Sequence, residues 1–184
     1  FYFNTISSVD ISGFDNSYRL VDWGSNCRIY CNDEGSDIYV DERGSFTTIY
    51  GAAGNDTLSS SGKGGYIYGN AGNDFIYSNS ESLKVFGGNG NDTFFNSGIN
   101  NTINGEFGNN RLYSWATSSN NLIIGGADDD ELYNGDNVTI NSGIGNDTIQ
   151  NFGNNVTING NDRNYDYIDN SGSKDRKSTR LNSS

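Results

Sequence analysis

The sequence predicts an all-β fold, a parallel β-roll or β-solenoid with two short strands in each coil of roughly 18 residues. Three observations predict it. An eight-residue unit recurs with first residues at 51, 69, 87, 105, 125, 142 and 160, so its steps are 18, 18, 18, 20, 17 and 18. Two apolar columns run through that period, about half a coil apart. Gly and Asn return every few residues, with 25 Gly and no Pro in 184 residues, and both residue types oppose helix. A fixed period below about 50 residues marks a solenoid or array, in which one unit buries its apolar face only against the next.

The N-terminal part, residues 1–48, is the least regular and reads as coils of the same solenoid in uncertain register. Phe1 to Ile6 alternates as a strand does. Gly13 to Leu20 is a weak unit, and Asn32 to Tyr39 is another, 19 residues before Gly51. Residues 49–170 carry the strong pattern. The eighth residues of the units are Leu58, Ile76, Phe94, Leu112, Leu132, Ile149 and, with one inserted residue, Ile168, all apolar. The residues two before each unit are Ile49, Ile67, Val85, Ile103, Ile123, Ile140 and Ile158, all β-branched. Each column suits a short strand with one large side chain inward and its neighbours outward. Two residues beyond the first column stand Ser60, Ser78, Asn96, Ser114, Asn134 and Asn151, small polar groups able to hydrogen-bond along the stack.

Two outward aromatic columns accompany the core: Tyr77, Phe95, Tyr113 and Tyr133 in one, Tyr50, Tyr68 and Phe86 in the other. They read first as cross-strand stacking, and as an alternative they offer a patch for a glycan or cell-surface partner. Residues 171–184 read as a disordered tail. Its last ten residues, 175–184, resemble the translation of a sequencing-adapter oligonucleotide and are set aside as a cloning scar would be. They hold three basic residues and one acid, so the remainder is more acidic still than the net −12 of the whole chain. The absence of an initiator Met and the repeat-like start give the expectation of a fragment of a longer protein.

Composition excludes several classes. A strongly acidic chain repels nucleic acid and anionic membranes, and no apolar run is long enough for a transmembrane helix. With no His and only Cys27 and Cys31, there is no Cys/His zinc set. In a strand those cysteines stand too far apart to bridge, although a turn between them could bring them together. No nucleophile with a base stands out, so the expectation is a chain that is not an enzyme. A carbohydrate-binding or carbohydrate-active β-helix stays as an alternative, although so narrow a coil leaves little room for a substrate groove.

The chemistry lies in the turn before the first column. The sixth residues of the units are Asp56, Asp74, Asp92, Asn110, Asp130, Asp147 and Asp166. Each acid follows a Gly-rich turn with backbone carbonyls to offer. Ca²⁺ takes six to eight hard oxygens, more than one turn supplies, but two stacked turns can combine carbonyls with carboxylates. Carboxylates about 5 Å apart repel unless a cation lies between them. The competing reading is a calcium-independent structural or adhesive solenoid, because Asn and Asp favour turns with no ion present.

The run Gly87-Gly-Asn-Gly-Asn-Asp-Thr-Phe-Phe95 resembles, at every fixed position, the nonapeptide of the haemolysin-type (RTX) calcium-binding repeats. The units at 51, 69 and 142 depart from it at one or two positions. The resemblance implies a bacterial, secreted, extracellular module that folds on binding Ca²⁺, often beside a toxin, protease, lipase or adhesin. It implies as ligands Asp56, Asp74, Asp92, Asp130, Asp147 and Asp166, with carbonyls of Gly51, Gly54, Gly69, Gly72, Gly87 and Gly90. The opposite turns lack the pattern, so a single row of ions along one edge is expected. Asn110 weakens the site at 105–112, and Asp128 in place of the fourth-position Gly distorts the one at 125–132.

Overall fold

The computed structural model describes residues 2–12, 19–31, 39–115, 120–160, 165–171 and 176–178. Most of the two weak N-terminal units, residues 13–18 and 32–38, lies outside the described residues, as do 172–175 and 179–184 of the tail.

Every described element is a strand. In order they are β1 (Tyr2–Asn4), β2 (Asp10–Ile11), β3 (Arg19–Asp22), β4 (Arg28–Tyr30), β5 (Tyr39–Glu42), β6 (Thr48–Tyr50) and β7 (Thr57–Ser60). Then come β8 (Tyr66–Ala71), β9 (Phe75–Ser78), β10 (Lys84–Asn89), β11 (Thr93–Asn96), β12 (Thr102–Phe107), β13 (Arg111–Ser114) and β14 (Asn121–Ala127). The last are β15 (Glu131–Asn134), β16 (Val138–Ile144), β17 (Thr148–Asn151), β18 (Thr157–Asn159), β19 (Tyr167–Asn170) and β20 (Arg176–Ser178). Odd strands form one ten-stranded sheet and even strands another, each in sequence order. All pairings are parallel, the parallel β-solenoid that the period predicts.

Register superposes the two apolar columns on themselves. Leu58, Ile76, Phe94 and Leu112 lie in line in one sheet, and Ile49, Ile67, Val85 and Ile103 in the other. All of these are buried. The columns extend N-terminally through Val40 and Leu20 and through Ile29. Burying each such side chain contributes roughly 1.5–3 kcal/mol, but only when a neighbouring coil covers it. At the C-terminal end the register of β20 sets Lys177 opposite Ile158, so the apolar sequence of that column stops there.

The interior is therefore apolar at its centre and polar at both edges. At one edge Ser60, Ser78, Asn96, Ser114, Asn134 and Asn151 are buried. Asn101 joins them: its amide donates to Asn96 Oδ1 at 2.8 Å and to the Ser80 carbonyl at 3.0 Å, and its Oδ1 accepts from the Leu83 N–H at 2.7 Å. Such bonds satisfy backbone groups that a turn would otherwise bury unpaired.

Outside, the aromatic columns stack ring on ring. Tyr30, Tyr50, Tyr68 and Phe86 follow one another at 5.0–5.2 Å between centroids. Phe95, Tyr113 and Tyr133 do so at 4.7 Å with nearly parallel planes. Tyr77 shares their register. Cys27 and Cys31 are both buried free thiols, and burial pushes the Cys31 thiol well above its usual value.

Candidate metal centre

The Gly-rich turns form the edge opposite the Ser/Asn column, between the even strands and the odd strands that follow them. Their backbone explains their composition. The second and fourth positions lie in the left-handed region: Gly88 and Gly90 at φ 106° and 130°, and Ala52 and Asn70, which strain to 77° and 75°. Asp128 takes the fourth position at φ 75°, where Gly would adopt the conformation without cost.

The first position needs Gly for a different reason. A Cβ on Gly69 would lie 2.3 Å from Asp74 Oδ2 and 2.4 Å from the Gly87 carbonyl oxygen. On Gly87 it would meet Asp92 Oδ2 at 2.2 Å and the Gly105 carbonyl at 2.7 Å. Gly51 and Gly125 repeat the arrangement with Asp56 and Asp130. The sixth-position carboxylate thus turns inward, and its outer oxygen shares a small space with a carbonyl of the next coil. Asp56, Asp74, Asp92, Asn110, Asp130 and Asp147 are all buried, whereas Asp166 is half-buried.

Two hydrogen-bond ladders of opposite direction hold these turns. Each sixth-position Oδ1 accepts from the N–H one coil earlier: Asp74 from Asp56 at 2.8 Å, Asp92 from Asp74 at 2.8 Å, Asn110 from Asp92 at 2.9 Å, and Asp130 from Asn110 at 2.8 Å. Asp147 and Asp166 continue the series at 3.0 and 3.2 Å. Each fifth-position side chain accepts instead from the coil that follows: Asn55 from Asn73, and Asn73 from Asn91, both at 2.7 Å. This second ladder, continued by Asn91, Asn109 and Asp129, was not read from the sequence. The recurrence of Asn before each Asp was its signal.

The ladders leave one set of oxygens over. Asp92, Asp130 and Asp147 each keep a buried Oδ2 with no hydrogen-bond partner. Burial pushes the Asp92 carboxyl up to about 7, against backbone hydrogen bonding that lowers it and with help from the charges of Asp74 and Glu106. Burial likewise pushes Asp130 up to about 8, and raises Asp147 and Asp166. A buried carboxylate must be neutralised by a proton or a cation. Among the described residues no three Asp, Glu, Cys or His side chains converge on one point, so backbone carbonyls must supply much of any coordination shell. Oxygens from carboxylate and carbonyl, arranged between coils, fit a hard cation of the Ca²⁺ kind.

The predicted ligands divide accordingly. Gly51, Gly69 and Gly87 stand beside the carboxylates of Asp56, Asp74 and Asp92. Gly54, Gly72 and Gly90 lie on the half-buried outer turn, where the Gly54 carbonyl faces Gly72 so closely that a Cβ there would come within 1.7 Å. Asn110 keeps the ladder but not the charge, and its amide nitrogen donates to the Gly108 carbonyl at 2.9 Å. An open cleft of about 480 Å³ lies here, lined by residues that include Asn91, Asn110, Asp129 and Asp130. Arg111 and Glu131 pair at its rim at 3.1 Å.

No curated protein and no solved structure matches the chain. Residues 48–62, 66–82, 84–98 and 115–138 each match the family model of the RTX calcium-binding nonapeptide repeat. The unit with Asn110 falls between two of these matches.

Proposed function

We propose, for a chain that carries four copies of the RTX calcium-binding nonapeptide repeat, that it is the calcium-binding module of a larger secreted protein, folding and rigidifying as the ions bind. The observation that carries this reading is the line of buried Oδ2 atoms on Asp92, Asp130 and Asp147 that no donor satisfies. When bound, Ca²⁺ supplies the positive charge that these acids lack. The chain's part is to hold carboxylates and carbonyls in adjacent coils at the spacing of the stack. Asp56, Asp74 and Asp166 belong to the same column; the carbonyls of Gly69, Gly87 and Gly105 stand nearest the Asp56, Asp74 and Asp92 carboxylates, with Gly51, Gly54, Gly72 and Gly90 as further proposed carbonyl ligands. Sites of about 10⁻⁴–10⁻³ M, the range of extracellular calcium modules, are expected if the protein is secreted. The role is structural, without catalysis.

A second reading, a calcium-independent structural or adhesive solenoid, is favoured by one observation: the Asn and Asp ladders satisfy the turn N–H groups without an ion. Far-UV circular dichroism separates the two. We expect the β signal to rise as Ca²⁺ is titrated into chelator-treated protein, and to fall again on chelation. An identical spectrum and melting curve in both conditions overturns calcium-coupled folding. The aromatic columns support the adhesive alternative less well, because the rings spend their faces on one another.

A further inference from the structure

The edge opposite the aspartate column has one place where its chemistry changes. The inward polar column there runs Asn4, Asp22, Glu42, Ser60, Ser78. Only Asp22 and Glu42 in this run are acids, and they stand in adjacent coils. Asp22 is fully buried and Glu42 is 3% exposed. Neither takes part in an ion pair among the described residues: the nearby Arg19 and Arg43 both go to Asp41, on the outer face.

Their hydrogen bonds are incomplete in a directed way. Asp22 Oδ1 accepts from Asn4 Nδ2 at 2.7 Å and from the Gly24 N–H at 2.9 Å, and the buried Cys27 thiol, which donates to the Ile6 carbonyl at 3.3 Å, lies against the same carboxyl group. Glu42 Oε2 accepts from Ser60 Oγ at 2.6 Å. Asp22 Oδ2 and Glu42 Oε1 are buried with no partner, and so is Thr47 Oγ1. Thr47 holds the register position that Asn101 holds further along, where that side chain faces the polar column. Two carbonyls crowd the same volume. A Cβ on Gly44 would lie 1.5 Å from the Gly24 oxygen and 3.3 Å from Glu42 Oε1; one on Gly62 would lie 1.4 Å from the Gly44 oxygen and 3.2 Å from Glu42 Oε1.

We propose that Asp22 Oδ2 and Glu42 Oε1, with the carbonyls of Gly24 and Gly44 and the Thr47 hydroxyl, form a separate site for a hard divalent cation on this second edge. It lies outside the nonapeptide units and does not depend on the aspartate column. All its donors are oxygens, two of them anionic, which suits Ca²⁺. Two carboxylates buried in adjacent coils, with the nearby arginines committed to Asp41, leave room for a cation between them.

The test counts calcium ions bound to the full chain by equilibrium dialysis. Glu42→Gln keeps an acceptor for Ser60 and removes the charge; Asp22→Asn does the same for its coil. Each is expected to lose one calcium equivalent, while its circular dichroism in chelator matches wild type. A third variant, with Asp56, Asp74, Asp92, Asp130, Asp147 and Asp166 all changed to Asn, uses the amide that Asn110 already shows the column accepting. It is expected to keep one ion, which is lost when Glu42→Gln is added. An unchanged count in both Glu42→Gln and Asp22→Asn, the result a shared proton alone would give, overturns the site. A column variant that binds no ion also overturns it, and leaves the aspartate column standing. A column variant with the wild-type count refutes the aspartate column instead, and loss of an ion on adding Glu42→Gln still supports this site.

Discussion

Asp130→Asn isolates the electrostatic cost on which the calcium reading rests. The carboxyl is 1% exposed, and its affinity for a proton rises from an ordinary 3.8 to about 8. The folded, metal-free chain therefore holds a proton that the unfolded chain has released. That proton is fully held in both states below the ordinary value, so its effect on stability is absent there. Stability is then lost as pH rises from about 4 to about 8, because the unfolded state binds fewer protons throughout that window. At 1.36 kcal/mol for each decade of proton affinity, the loss by pH 7 is roughly 4 kcal/mol. The Asn side chain removes this cost. Its Oδ1 can still accept from the Asn110 N–H, now at 2.8 Å, and its amide can donate within its own turn as Asn110 does to Gly108. With about 2–4 °C per kcal/mol for a chain of this size, the variant should melt about 10 °C higher in chelator at pH 7 and no higher at pH 4. Calcium should narrow the gap, since an ion at a hundred times its Kd adds about 2.7 kcal/mol to the wild type only. Thermal melts followed by circular dichroism at both pH values, with chelator and with calcium, make the measurement. A variant that melts at or below wild type in chelator at pH 7 would refute the reasoning, because the carboxylate would then be stabilising without a cation.

Two further substitutions probe the geometry. Gly87→Ala places a methyl group 2.2 Å from Asp92 Oδ2 and 2.7 Å from the Gly105 carbonyl; it should lower calcium affinity at least tenfold, about 1.4 kcal/mol, by dialysis or calorimetry, and unchanged affinity would separate this carbonyl and carboxylate from the ion site. Tyr113→Ala removes a ring stacked at 4.7 Å on both Phe95 and Tyr133; at about 0.5–1.5 kcal/mol for each pair it should cost roughly 1–3 kcal/mol by thermal melting, and a neutral result would return the aromatic column to a binding role.

The sequence by itself determined the solenoid. Leu58, Ile76 and Phe94 repeat at one spacing, and Ile49, Ile67 and Val85 at the same spacing, so stacking them is the one arrangement that buries both sets. It also marked the aspartates, since Asp56, Asp74 and Asp92 follow the same glycines each time. The tertiary structure decided which way those acids point and what they meet. A single turn allows Asp74 to face solvent or the interior; the N–H of Asp56 in the preceding coil draws it inward, and the missing Cβ of Gly69 leaves it room. That choice depends on contacts between coils, which no local stretch encodes. The same holds for Asp22 and Glu42. They lie before the regular units, where no motif announces the register, and only the pairing of β3 with β5 and of β5 with β7 sets them in the buried column that elsewhere carries Ser and Asn.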